Sequence, residues 1–306
     1  MNEDEEELRI NQRRRKLQDS PPEDENEFIT EAEELARWCR NHKKYAESAE
    51  LDKRILQRCE KNPNLGPYCQ SAVDAAYNLG HTLMSMKEYE EAIEMYDKAV
   101  KGRRHRTGRP DHPQVLDARR LRAEVFQRWA KFDKSEEEFK DILKRLGECD
   151  ENAPGVKEGL IRTRANLAFL YQMREQWIEA AELLRPLLAY AQTAGHDTFI
   201  IQQRLAYVLK RAEKYDESEA QYRDLVMKEK QKLKTPNISL LYVVEGYGDV
   251  LRSCGKLQEA EEQYVDVLSG LSRLRSAGRV KTEDIARINR ELEQIRRKRD
   301  ERNDFK

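Results

Sequence analysis

No run of apolar residues in these 306 positions approaches the roughly 18 that a membrane-crossing helix needs, so no membrane partner is expected. Cysteine is scarce: Cys39, Cys59, Cys69, Cys149 and Cys254 form no C-x-x-C pair and mostly fall inside apolar helical patterns. They read as reduced packing residues, which argues against zinc or disulfide frameworks. A surplus of one charge sign is missing too, because 57 Lys and Arg stand against 58 Asp and Glu, a net charge of -1. No global field draws the chain to nucleic acid or anionic lipid, and nucleic acid is not the expected partner. The opening Met1-Asn2-Glu3-Asp4-Glu5 has neither the basic-then-apolar start of a secretory signal nor the acid-poor character of a transit peptide. A cytoplasmic or nuclear location is expected.

Catalytic signatures are equally absent. The interval from Gly248 to Gly255-Lys256 has the wrong length for a phosphate-binding G-x-x-x-x-G-K-[ST], and neither G-x-S-x-G nor H-E-x-x-H occurs. His105, Asp111 and His112 lie close in sequence but lack a fourth metal ligand, and a polar connection produces such triplets cheaply. Arg103, Arg104, Arg106 and Arg109 share that connection, a single basic loop without the interleaved aromatics of an RNA-binding surface. The expectation is a protein without enzymatic activity, cofactor or metal.

What the chain does have is a repeat. Six times a small residue is followed nine positions later by a bulky one, and three further on by Ala or Ser. The sets are Ala36/Tyr45/Ser48, Gly80/Tyr89/Ala92, Ala123/Phe132/Ser135, Ala168/Trp177/Ala180, Ala206/Tyr215/Ser218 and Gly248/Leu257/Ala260. Seven residues after each bulky residue stand Asp52, Tyr96, Phe139, Leu184, Tyr222 and Tyr264, apolar or aromatic in all but the first. Small side chains let two antiparallel helices approach closely, so each set predicts a helix hairpin. The bulky residues are 44, 43, 45, 38 and 42 positions apart, a period that signals a helical solenoid. Stacked hairpins bury their stripes against their neighbours, so a chain with 38% charged residues needs no single large core.

Residues 76–100 run Ala76-Tyr77-Asn78-Leu79-Gly80 through Tyr89-Glu90-Glu91-Ala92 to Tyr96-Asp97-Lys98-Ala99, which resembles the tetratricopeptide repeat pattern N-L-G, Y-x-x-A, Y-x-x-A without a gap. Asn166-Leu167-Ala168 leading to Trp177, and Gly248 leading to Leu257 and Tyr264, are similar with more departures. The resemblance spans about residues 28 to 270. That family's usual period is 34, and the longer spacing here is similar to the kinesin light chain type of repeat, as is Gly108-Arg109-Pro110-Asp111-His112-Pro113-Gln114-Val115 before a first helix. Pro113 suits a first helical turn, and Asp111 is placed to cap it. The family's last small position holds Ala99 once and Ile55, Ile142, Leu187, Leu225 and Val267 elsewhere, from which looser hairpin stacking is expected.

At the ends, residues 1–26 combine Glu5-Glu6-Glu7 with Arg13-Arg14-Arg15-Lys16 and Pro21-Pro22, and offer little apolar surface against chain entropy. They are expected to form a disordered or partly helical charged tail. The basic tetrad also fits a nuclear import signal, although such runs arise often by chance. Thr282-Glu283-Asp284 reads as a helix start, and Ile285, Ile288, Leu292 and Ile295 form a one-sided stripe, as a solenoid's last helix requires. The expected fold is all-α, an α-solenoid of about six helix-turn-helix hairpins with a C-terminal capping helix. Residues 1–26 are the tail, 27–277 the array, and 278–306 the capping helix and polar end.

The resemblance implies an interaction scaffold or adaptor that binds a peptide or partner protein along the inner wall formed by the first helices. Carried across repeat by repeat, that wall would hold Glu33, Arg37 and Arg40, then Tyr77, His81 and Met84, then Arg120, Glu124 and Gln127. Ala165, Phe169 and Gln172 follow, then Gln203, Tyr207 and Lys210, and finally Glu245, Asp249 and Arg252. The candidates for partner contact are Tyr77, His81, Arg120, Phe169, Gln172, Gln203, Tyr207, Lys210, Asp249 and Arg252, with rings beside polar groups suited to a peptide. The chaperone-binding branch of the family holds a terminal carboxylate with basic and Asn side chains. Here Glu33, Arg37, Asn78, Asp117 and Leu121 take those places, and Glu33 and Asp117 would repel it. The alternative reading is a nuclear or RNA-associated factor that uses the basic loop and tails. Nothing in the sequence sets an oligomeric state.

Overall fold

Each of the six recurring bulky residues opens a helix. In the computed structural model, which describes residues 3–19, 22, 24–232, 237–276 and 282–304, the helices run in pairs. They are α2 (Glu25–Asn41) with α3 (Tyr45–Lys61), α4 (Gln70–Met86) with α5 (Tyr89–Thr107), and α6 (Pro113–Arg128) with α7 (Phe132–Gly147). α8 (Val156–Met173) and α9 (Trp177–Thr193) follow, then α10 (Phe199–Arg211) with α11 (Tyr215–Lys232) and α12 (Ile238–Ser253) with α13 (Leu257–Ser276). α1 (Glu3–Asp19) precedes them and α14 (Thr282–Asp304) follows. No strand occurs among the described residues. The protein is all-α and of the helical-solenoid class. It divides into two compact units, Met1–Leu170 and Tyr171–Lys306.

All six hairpins turn in the same way. Lys43, Lys87, Ala130, Glu175 and Glu213 take φ of 58–68°, and Gly255 takes 76°. The residue after each donates its N–H to the carbonyl five positions back, at 2.8–2.9 Å, as in Lys44 to Cys39 and Glu88 to Leu83. This is the Schellman ending, in which one left-handed residue satisfies carbonyls that the helix leaves orphaned. Only the sixth turn has glycine, so five side chains sit where a left-handed backbone costs about 1–2 kcal/mol.

Beyond the turn the small residues meet as expected. Ser135 donates its hydroxyl to the Ala123 carbonyl at 2.8 Å, and Ser218 does the same to Ala206 at 2.7 Å. Both glycines make room for more than a backbone. A Cβ on Gly80 would stand 3.1 Å from the Tyr96 ring, and one on Gly248 would stand 2.8 Å from the Tyr264 ring. Tyr96, Phe139, Leu184, Tyr222 and Tyr264 are all buried, as is the exception, Asp52, whose carboxylate takes the Arg40 guanidinium at 2.7 Å. Ile55, Ile142, Leu187, Leu225 and Val267 are buried alongside Ala99, so larger side chains fill the family's last small position.

Several local expectations are corrected. Residues 3–19, expected as part of a disordered or partly helical tail, form α1 throughout and pack on the array, with Ile10 and Leu17 buried. Arg13 pairs with Glu31 at 2.6 Å, Arg14 with Glu47 at 2.5 Å and Lys16 with Glu27 at 2.6 Å. Two apolar contacts and complementary charge hold what low hydrophobicity alone would leave loose. The cap of α6 is His112, whose Nδ1 accepts from the Gln114 N–H at 3.2 Å, and not Asp111. Pro113 is the first helical residue, as expected. All five cysteines are free thiols. Burial pushes Cys39 up to about 11, and burial with the neighbouring Cys69 pushes Cys59 up to about 12, so both stay protonated packing groups. In α14, Ile288, Leu292 and Ile295 are buried, as the stripe predicts, whereas the 277/278 boundary falls outside the described residues.

Candidate partner-binding face

In the second unit the exposed sides of α10, α12 and α14 line a cleft of about 400 Å³. On α10, Gln203, Tyr207 and Lys210 recur at helical spacing and share one face, with Arg204 beside them. Tyr242, Glu245 and Asp249 do the same on α12, and between them Gly246 lies against the Tyr222 hydroxyl, which a Cβ there would meet at 2.7 Å. α14 contributes Arg287, and Tyr222 of α11 reaches the cleft from the core. Arg252 lies in an adjoining depression with Lys210 and Asp249.

Charge in the cleft is largely matched. Lys210 Nζ lies 2.8 Å from Asp249 Oδ2, and Arg287 forks onto Glu245 with its second contact at 3.1 Å. Asp249 Oδ1 also accepts from the Tyr264 hydroxyl and from Arg252 at 3.4 Å, and Arg252 pairs with Glu291. Lys210, a candidate for partner contact, already has its charge matched by Asp249. Burial lowers the Arg204 pKa, and burial with the Asp249 charge raises that of Tyr222, which therefore remains a protonated donor. Tyr207 and Tyr242 are 39% and 51% exposed. Tyr207 stands edge-on to Trp177 at 6.1 Å, and Arg211 donates to its hydroxyl at 3.3 Å.

The first-unit candidates are placed differently. Tyr77 donates its hydroxyl to Asp117 at 2.8 Å under the Arg103 guanidinium, 4.1 Å from the ring centre; burial and the Asp117 charge push the phenol up to about 12. Arg120, expected on an exposed wall, is buried, and its guanidinium bonds Asp117 at 2.9 Å and faces Glu124 at 3.8 Å. Met84 and Gln127 are buried too. His81 is exposed, and Phe169, at the first unit's end, is 48% exposed. In the second unit Gln172 is half-buried, with its Nε2 buried and unpartnered among the described residues.

A larger cavity of about 890 Å³ opens in the first unit where α4, α6 and α8 begin. Arg103, Arg106, Arg109 and Arg162 line it with Asp74, Asp117, Asp150 and Glu158, four cations against four carboxylates. The expected basic loop is corrected: Arg103, Arg104 and Arg106 belong to the end of α5, where Arg103 is half-buried and donates to the Gln114 carbonyl at 2.7 Å. Arg104, Arg106 and Arg109 are exposed, Arg106 donating to the Tyr68 carbonyl at 3.4 Å and Arg109 lying 3.5 Å from Asp111. His105 stacks on Tyr68. Among the described residues no group of three His, Cys, Asp or Glu is placed to hold a metal, and no helix is long and apolar enough to cross a membrane.

Sequence reasoning missed Arg204, Tyr222, Tyr242, Gly246 and Arg287. Tyr242 had a signal, because it continues the face of Glu245, Asp249 and Arg252 one turn earlier. Arg287 and Glu291 would have followed from treating α14 as a seventh first helix instead of a bare cap.

Two repeating helix faces over buried rings define a helical-repeat protein. Residues 71–148 match the family model described as tetratricopeptide repeat. The fold is similar to that of the putative kinesin light chain repeats of Podosopora anserina, with a TM-score of 0.57, 19% identity, and coverage of 66% of this chain and 96% of that one. BtubC (BKLC) from P. vanneervenii gives a TM-score of 0.57 at 19% identity, covering 74% of this chain and 90% of its own. A tetratricopeptide repeat protein from Parabacteroides merdae ATCC 43184 gives 0.51 at 15% identity, covering 94% and 90%. These likenesses show the fold, a tetratricopeptide-type helical array similar to that of kinesin light chain-like repeat proteins. No curated protein matches.

Proposed function

We propose that this protein is a non-enzymatic interaction module that holds an extended peptide segment of another protein against the α10–α12–α14 face. The observation that carries the reading is the pair of exposed rings, Tyr207 and Tyr242, set on facing first helices over a cleft with a polar floor. Rings of this kind supply contact area at low entropic cost, and fixed ion pairs around them supply register. The carbonyls and amides of an extended peptide suit Gln203 and the rim of paired charges.

The test is Tyr207→Ala combined with Tyr242→Ala, scored on proteins captured by the full chain from nuclease-treated extract. Both rings are too exposed to be core, so the melting temperature should hold while capture falls on the order of ten-fold or more. Undiminished capture, or a melting temperature that falls with it, refutes the reading. Partners that disappear on nuclease treatment of the parent would instead support an RNA-associated role for the basic loop.

A further inference from the structure

Two of the five cysteines lie against each other. Cys59 is in the last turn of α3 and Cys69 is the N-cap of α4, so they belong to successive hairpins. The connection between them folds back on itself. The Asn62 carbonyl accepts from the Leu65 N–H at 3.1 Å and the Gly66 N–H at 3.2 Å, and the Gly66 carbonyl accepts from the Cys69 N–H at 3.4 Å. Gly66, at a φ of 73°, takes the left-handed conformation that this reversal needs. The two thiols are thereby brought within hydrogen-bonding reach of each other, with Cys59 buried and Cys69 partly exposed. The Cys69 Sγ also accepts from the Ala72 N–H at 3.4 Å, which holds it over the first turn of α4.

Cys149 and Cys254 are partly exposed as well, but there the sulfur meets oxygen: the Arg145 carbonyl at 3.2 Å and the Glu219 carboxylate. A thiol beside a second thiol has a route that an isolated one lacks, because its sulfenic acid is captured before it is oxidised further. We propose that Cys59 and Cys69 are an oxidation site at which a hydroperoxide forms a reversible disulfide, tying the end of α3 to the start of α4. Burial, with Cys69 beside it, pushes Cys59 up to about 12, so the partly exposed Cys69 meets the oxidant first. Its thiolate attacks the hydroperoxide, an S–O bond forms as the O–O bond breaks, and the departing alkoxide takes the proton that Cys69 released. The Cys59 sulfur then attacks the Cys69 sulfur, and the displaced hydroxide leaves as water with the Cys59 proton. Both thiols are oxidised by one electron each, and the hydroperoxide is reduced to alcohol and water.

The experiment treats the full, reduced chain with dilute tert-butyl hydroperoxide, alkylates the remaining thiols and identifies the tryptic peptides by mass. Cleavage after Lys61 separates the two cysteines, so a bond between them appears as peptide 59–61 joined to peptide 62–87 with both thiol hydrogens lost. That species should be the main product, should disappear on treatment with dithiothreitol, and should exceed oxidation at Cys149 or Cys254 about ten-fold. The same treatment in urea should lose most of that preference, because the fold no longer holds the pair together. In Cys59→Ser the Cys69 sulfenic acid should persist and be trapped by dimedone, and in Cys69→Ser position 59 should stay reduced. Three results overturn the proposal: Cys69 carried to the dimedone adduct or the sulfinic acid in the parent with no 59–69 bond, disulfides spread evenly over the five cysteines, or a preference that persists in urea. All three are read on the parent chain, so none depends on a variant that folds.

Discussion

Gly80 and Gly248 occupy the same repeat position, and the structure predicts opposite outcomes for the same substitution at each. Replacing a helix-interior glycine by alanine favours the helix by about 1 kcal/mol. Against that stands the space available. At Gly80 the new Cβ would meet Tyr96 at 3.1 Å, and the Tyr96 hydroxyl has no hydrogen bond among the described residues, so the ring can tilt by a few tenths of an ångström. At Gly248 the contact with Tyr264 is 2.8 Å, and the hydroxyl of that ring is tied to Asp249. Overpacking of a held ring costs about 1–3 kcal/mol. Gly80→Ala should therefore be neutral or stabilising by up to about 1 kcal/mol, and Gly248→Ala destabilising by up to about 2 kcal/mol.

Because stacked hairpins need not unfold as one, a global melt is the wrong instrument alone. Hydrogen exchange in α12 and α13 for Gly248→Ala, and in α4 and α5 for Gly80→Ala, reads each hairpin separately. A displaced Tyr264 also drags Asp249, and with it Lys210, so Gly248→Ala should disturb the second-unit cleft as well. If Gly248→Ala proves as stable as Gly80→Ala, the distinction drawn from ring tethering is refuted.

The remaining predictions concern the first unit and the turns. Burial pushes Asp52 up to about 7 despite Arg40, against an ordinary value of 3.8. The folded state then retains a proton that the unfolded chain has released, so first-unit stability should fall as pH rises from about 4 to about 7 and level off above. Chemical denaturation across that range should show the slope, and Asp52→Asn should flatten it. Ala130→Gly relieves a left-handed alanine, and after the unfolded-state entropy of glycine it should gain about 0.5–1 kcal/mol, measured by exchange in α6 and α7. Ile10→Ala with Leu17→Ala should release α1, raising exchange in residues 3–19 while α4 and α5 keep their protection; unchanged exchange there would show that the ion pairs alone hold the helix.

The hairpins were legible because their signals are local and repeated. Tyr45, Tyr89, Phe132, Trp177, Tyr215 and Leu257 each begin a second helix, and the small residues nine positions earlier are buried. The turn itself was not legible: five of six left-handed residues are Lys, Glu or Ala, which carry no glycine signal. α1 was missed for a related reason. Its two buried residues lie among charges whose partners, Glu27, Glu31 and Glu47, are distant in sequence, and composition cannot report complementarity between segments.

The candidate face shows where one-dimensional reading ends. Helical spacing placed Gln203, Tyr207, Lys210 and Asp249 on one shared wall, and all four line one cleft. Spacing says nothing about pairing between helices, so Lys210 looked available until Asp249, 39 residues away, proved to hold it. It also sorts residues into core and surface, and Tyr222 is both. Its ring obeys the core rule, seven residues after Tyr215, while its hydroxyl reaches the cleft lining in the space that Gly246, in the next hairpin, leaves without a side chain. In a stacked repeat each hairpin is specified by its own sequence, but what meets at the seam between hairpins depends on two repeats at once, as Lys210 with Asp249 and Tyr222 with Gly246 show.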